Sequence, residues 1–263
     1  MKKYVPAFIF LLLLSATGCK TSEKQEKETS QSTVPATIQK QTVHFNAADG
    51  LPVTADYYPA KEADAPLIIL FHQARFSRGE YLEIAPKLNA MGYRCLAIDQ
   101  RSGKEANGIE NETHKEALKR DLPTKYPDAI PDLEAAIAYA QNELKAKNPI
   151  IWGSSYSAAL TFYLGSKHAG KLKAILAFSP GEYFEIGAKS LASFAQDITC
   201  PVFITSAKDE RDNWQAIYEA VPSEKHFFLP ETAGKHGSKA LWAKHEGHEA
   251  YWEAVEAFLN GLK

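Results

Sequence analysis

Ile150-Ile151-Trp152-Gly153-Ser154-Ser155-Tyr156-Ser157-Ala158-Ala159-Leu160 is the stretch whose reading decides the fold. An apolar run that starts at Pro149 stops at Trp152, and a helical pattern takes over after Ser157 and continues to about Ser166. Between them sits a serine with small residues two positions away on either side, Gly153 and Ser157. A sharp turn from strand into helix demands small residues there, because larger side chains would collide with the adjoining strand and helix. A hydroxyl is a weak nucleophile until a base takes its proton and the backbone holds it clear of the sheet. Ser155 in this turn meets the second condition. Ser154 does not: placing it at the apex would put Trp152 at a position that must be small.

Working outward, short apolar runs alternate with longer helical patterns, as a parallel sheet with crossover helices requires. Thr42 to Phe45 and Val53 to Tyr58 flank Asp49-Gly50 and predict an opening β-hairpin. Further strands are predicted at Pro66 to Phe71, Tyr93 to Ile98, Leu172 to Phe178, Val202 to Thr205 and His226 to Leu229. Helical spacing covers Gly79 to Met91, Asp128 to Lys145 with Pro131 in its first turn, and Ala240 to Leu259. Lys104 to Tyr126 is a charged connection, helical around Glu112 to Lys119. The expectation is an α/β domain, residues 41–263, with a mostly parallel eight-stranded sheet flanked by helices. Only about two dozen residues separate Phe178 from Val202, too few for a large cap domain with its own core.

In the order of these motifs the chain resembles the α/β-hydrolases, in the dienelactone-hydrolase-like, serine-esterase branch. The family's elbow is usually G-x-S-x-G, and Ser157 replaces its last Gly. The resemblance implies that Ser155 is the nucleophile, followed along the chain by an acid and a histidine. Strand Val202 to Thr205 runs into Ser206-Ala207-Lys208-Asp209, similar to the family's strand-then-Asp segment, so Asp209 is the expected acid, with Glu210 and Asp212 as alternatives. His236, in the loop after the strand at 226–229, stands where the family places its general base. His226 begins a strand, at the wrong end for a site at the strands' carboxyl edge. His245 and His248, three apart on the expected last helix, share a face but lack a third ligand at fixed spacing, so no metal is expected. The oxyanion donors implied are the N–H of Tyr156 and one from His72-Gln73-Ala74: Ala74 by position, Gln73 as the alternative. His72 is expected to be structural, and Asp99 and Arg101, in a turn resembling the family's Asp-x-Arg-Gly, to tie loops together.

The expected activity is hydrolysis of carboxylic esters with short acyl groups, through an acyl-enzyme and without a cofactor. The same residues would also serve an amidase or acyltransferase, and a silent lipoprotein using the fold for binding is the alternative from another class. Thirty Lys and Arg against 32 Asp and Glu leave no basic excess for nucleic acid. Cys95 and Cys200 lie in or beside apolar runs and are expected to be buried small hydrophobes. Residues 1–18 have the order of a signal peptide: Lys2 and Lys3, an apolar run from Val5 to Leu14, then small residues. Cys19 directly after them resembles a bacterial lipobox, with Ala16 where Leu is usual. Residues 19–40 lack aromatics and are rich in Lys, Glu, Gln, Ser and Thr, the composition of a flexible tether; about 20 such residues reach roughly 25 Å. The expectation is a monomeric enzyme held by an N-terminal lipid to a bacterial membrane, periplasmic or surface-facing.

Overall fold

The computed structural model describes residues 39–262. The expected signal peptide, Cys19 and nearly all of the tether lie outside them. Eight strands form one sheet: β1 (Gln41–Asn46), β2 (Pro52–Tyr58), β3 (Leu67–Phe71), β4 (Arg94–Ile98), β7 (Ile150–Ser154), β8 (Ala174–Phe178), β9 (Val202–Thr205) and β10 (Lys225–Phe228). A small hairpin, β5 (Glu105–Ala106) and β6 (Ile109–Glu110), stands apart. The helices are α1 (Ile84–Ala90), α2 (Glu112–Lys119), α3 (Ile130–Asn142), α4 (Tyr156–Lys167), α5 (Leu191–Ala195), α6 (Arg211–Ala220) and α7 (His248–Gly261).

The strand order is β1-β2-β4-β3-β7-β8-β9-β10. Only β2 runs against the rest, pairing antiparallel with β1 and β4. The opening hairpin turns at Asp49-Gly50, where Gly50 takes φ +80° and the Asp49 carboxylate accepts the Leu51 N–H. The inner strands β3, β4, β7 and β8 are buried at every residue, as a parallel sheet covered on both faces requires. Alternation splits their side chains between two cores. Ile69, Phe71, Leu96, Ile151, Ile175 and Ile204 pack with residues of α3, α4, α5 and α6. Ile68, Leu70, Cys95, Trp152, Leu176 and Phe203 pack with α1 and α7. Cys95 and Cys200 are both buried and unbridged.

Three differences from the sequence reading stand out. The last helix begins at His248, not Ala240. Ala240, Leu241 and Trp242 are buried, Trp242 leaves a short 3-10 turn (Ser238–Leu241) with extended backbone, and Gly247 at φ +77° precedes α7. Core burial outweighs helical spacing there, and His245 falls in a loop, so it shares no helical face with His248. The stretch after Asp209 forms α6, whose apolar face rests on Trp214 and Ile217. The charged connection contains α2 with the expected ends and also the β5–β6 hairpin. The consequence for function is register: Phe71 pairs with Gly153, Ser154 with Phe178, and Phe178 with Thr205, so the loops after β3, β7, β8 and β9 emerge at one edge.

Candidate active site

Ser155 joins β7 to α4 with φ 59° and ψ −121°, a conformation costing an L-residue about 1–3 kcal/mol. The surroundings hold it. Its N–H donates to the Phe178 carbonyl at 2.8 Å. A Cβ on Gly153 would stand 2.5 Å from the Ala158 backbone, so no larger residue fits. Ser157, the departure from the last Gly, is buried and staples the turn: its Oγ accepts the Ser154 N–H at 2.9 Å and lies 2.8 Å from the Phe71 carbonyl. Ser154 is buried beneath the turn.

The structure brings His236 to Ser155, with Nε2 2.7 Å from Oγ. About a third of the His236 side chain remains exposed (35%), so the pair is open to a substrate. The carboxylate on the other ring nitrogen is Glu210, not the expected Asp209: Oε1 lies 2.5 Å from Nδ1. After β9 the chain makes a short 3-10 turn, Lys208–Glu210. Asp209, on that turn, is exposed, as is Asp212 at the start of α6. Glu210 stands one residue further from the strand, and its extra methylene spans the added distance. Its Oε2 accepts the Ser179 hydroxyl at 2.6 Å and the Ala207 N–H at 3.1 Å. Burial pushes the Glu210 carboxyl up, but the hydrogen bonds from His236 and Ser179 outweigh it and hold it below its ordinary value.

Ser179, just past β8 with φ 54°, was not singled out by sequence. Besides donating to Glu210, it accepts the Gly237 N–H at 2.8 Å, joining the acid to the loop that carries the histidine. A Ser closing a fully apolar strand at the same edge as Ser155 was the available signal. Gly237 itself takes φ +73°, and a Cβ there would stand 2.6 Å from Ser154 Oγ.

Tyr156 is the first residue of α4, where backbone N–H groups lack intrahelical acceptors. In the turn after β3, the Gln73 N–H is taken by Glu80 Oε2 at 2.7 Å. The Ala74 N–H has no acceptor among the described residues. His72 is fully buried: Nδ1 lies 2.8 Å from the Gln73 carbonyl and Nε2 accepts the Gln100 N–H at 3.0 Å. Burial pushes its pKa down to about 4, so it is a neutral strut. Asp99 and Arg101 also tie loops, though not to each other: Asp99 pairs with Arg78, and Arg101 with Asp132 and Asp49.

Beside Ser155, burial pushes the Tyr183 phenol up to about 12, with the Ser155 hydroxyl opposing, and the phenol donates to the Ser179 carbonyl at 2.8 Å. Tyr126 stacks on Tyr156 with ring centroids 4.7 Å apart. Lys125, Tyr126, Pro127 and Phe184 line an open groove of about 330 Å³. Among the described residues no three His, Cys, Asp or Glu gather to hold a metal ion.

No protein-family model matches the chain, and no curated protein matches it. Solved structures do match in fold. A dienelactone hydrolase from Anabaena variabilis superposes with TM-score 0.66 at 12% identity, over 84% of this chain and 97% of that one. The esterase Pf2001 from Pyrococcus furiosus gives TM-score 0.64 at 16% identity, over 86% and 91%. Est1E from Butyrivibrio proteoclasticus, with ferulic acid bound, gives 0.64 at 14%, over 84% and 98%. The chain has the α/β-hydrolase fold.

Proposed function

We propose that the protein is a serine hydrolase of carboxylic esters, with Ser155 as nucleophile, His236 as general base and Glu210, in place of Asp209, as the acid that orients it. The observation that carries this is the continuous hydrogen-bonded chain Ser155–His236–Glu210 at the carboxyl edge of the sheet. Ser155 Oγ attacks the ester carbonyl while His236 Nε2 takes its proton, and the N–H groups of Tyr156 and Ala74 receive the developing oxyanion. Collapse expels the alcohol, which takes the proton back from His236, and water then attacks the acyl-enzyme by the same route. Glu210 holds the tautomer with its proton on Nδ1 and stabilises the imidazolium that forms. The names of the neighbouring structures, dienelactone hydrolase and esterase, agree with this chemistry.

Ester turnover in serine variants tests it. Ser155→Ala is expected to abolish hydrolysis in a folded protein, whereas Ser154→Ala stays within about tenfold of wild type, because triad members act as a unit and neighbours do not. Equal loss in both variants, or none at Ser155, rejects the assignment. We further propose that the protein acts as a monomer held to a bacterial membrane by lipid on Cys19. Labelled fatty acid is expected in the mature protein and Cys19→Ala in the soluble fraction; an unlabelled, soluble wild type rejects the anchor.

A further inference from the structure

Beneath the Ser155 turn lies a carboxylate to which the reaction above gives no task. Glu80, in the 3-10 turn Arg78–Tyr81, is fully buried. Its Oε2 accepts the Gln73 N–H at 2.7 Å, next to the proposed Ala74 donor. Its Oε1 lies 2.8 Å from Ser154 Oγ, next to the nucleophile. Ser154 Oγ in turn accepts the Ser238 N–H at 2.8 Å, two residues after His236. Toward an ionised carboxylate, which can only accept, the Ser154 hydroxyl is the donor. One side chain therefore touches the oxyanion turn and the elbow directly, and the histidine loop through a single hydroxyl. The Trp242 indole fixes the main chain beneath, donating to the Glu80 carbonyl at 2.9 Å.

The buried carboxylates Asp99 and Asp132 each have an arginine in contact, Arg78 and Arg101, and the half-buried Glu210 has His236. Glu80 touches only neutral donors. Lys239 and His236 act on it from farther away, and Tyr81 neighbours it on its own turn. Burying a charge without a counter-ion is costly, and a purely structural frame gains nothing from it that a neutral side chain could not supply more cheaply. Ionised, Glu80 accepts on both oxygens and gives the buried Ser154 proton its acceptor. Burial pushes its pKa up to about 7, so the group exchanges its proton near neutrality.

We propose that Glu80 is a positioning residue whose ionised carboxylate locks the Ala74 turn, the Ser155 elbow and the His236 loop into the reactive arrangement. The inference rests on the ester-hydrolase reading. When Glu80 takes up a proton on Oε1 it donates to Ser154 Oγ instead of accepting from it; that hydroxyl then accepts from both Glu80 and Ser238, and its own buried proton loses its acceptor. The Ser154–Ser238 link that steadies the His236 loop then shifts. Small displacements of this kind lower turnover more than substrate binding, since the lost interactions belong to the transition state.

The test compares wild type, Glu80→Gln, Ser154→Ala, Ser155→Ala and the surface control Asp212→Asn, all as the full chain. It follows p-nitrophenyl acetate turnover and Ser155 phosphonylation by a fluorophosphonate across about pH 5 to 9, with thermal unfolding to verify folding. Glu80→Gln, equal in size, can accept from Gln73 but only donate toward Ser154, which leaves the Ser154 proton without an acceptor; it is expected to lose about 10- to 100-fold in kcat with KM within about threefold. The wild-type acid limb should include the protonation of Glu80 that Glu80→Gln lacks, so wild-type kcat should fall more steeply with falling pH than that of Glu80→Gln. Ser154→Ala breaks the same link one step later and should show a smaller kcat loss, which keeps the idea testable if Glu80→Gln does not fold. A dead Ser155→Ala beside a Glu80→Gln with unchanged kcat and an unchanged acid limb overturns this inference and leaves the hydrolase reading standing. A wild type that neither turns over ester nor is phosphonylated at Ser155 overturns both.

Discussion

Glu210 and Asp209 differ by one methylene and one step along a 3-10 turn, and that step decides which of them His236 meets. The turn that carries both carboxylates was legible at the end of β9, because an apolar strand followed by charged residues can be read in one dimension. The sequence could not show that the turn tightens to 3-10 geometry, which rotates position 209 outward to solvent and position 210 onto the imidazole. Glu80 was invisible for a different reason: nothing in the string Arg78-Gly79-Glu80-Tyr81 tells a buried carboxylate from a solvated one. Ser155 and His236 were legible because each follows an apolar strand at the same edge of the sheet. At this scale the account predicts that Glu210→Gln lowers kcat by about 1,000-fold or more through loss of the orienting acid, while Asp209→Asn stays within about threefold. Steady-state kinetics on the two variants decide it; the reverse ranking would restore Asp209.

Strands were read to within a residue or two because both-sided burial writes itself as unbroken apolar runs, as in Leu67–Phe71. The last helix was misjudged where burial of Ala240 to Trp242 competes with helical periodicity, a tertiary effect no local window contains. The connection between β8 and β9 was sized correctly: residues 179–201 carry only α5, five residues long. With no cap domain at this edge, the apolar wall on offer is the open groove lined by Tyr126, Pro127 and Phe184. Each methylene that finds an apolar wall contributes about 0.8 kcal/mol, or about fourfold in kcat/KM, and those beyond the wall contribute nothing. Across linear acyl esters, kcat/KM is therefore expected to climb over about two to four carbons and then level off. A rate still rising at long chains would mean that some other element closes over the site.

For the whole molecule, buried titratable groups set how stability varies with pH, and two of them oppose each other. Glu80 has its folded pKa raised from 4.5 to about 7, so the folded protein holds that proton more tightly than the unfolded chain and loses stability as pH rises through this window. His72 has its folded pKa lowered from 6.5 to about 4, so stability is lost as pH falls through that window. The opposing slopes overlap and flatten the wild-type profile between them. Glu80→Gln removes the first slope and exposes the second. Relative to wild type it is expected to gain stability steadily from about pH 5 to 7, measured as the difference in urea midpoints. A difference that stays constant with pH would show that the folded and unfolded chains hold the Glu80 proton equally tightly.

The central claim, that this fold activates Ser155 through His236, is tested most directly by where a serine-directed electrophile attaches. After brief exposure of the folded full chain to a fluorophosphonate, peptide mapping by mass spectrometry should find one adduct, on Ser155. It should vanish in Ser155→Ala, fall by orders of magnitude in His236→Ala, and be absent after denaturation. An adduct on Ser154 or another serine, or labelling of Ser155 that survives loss of His236, would contradict the account.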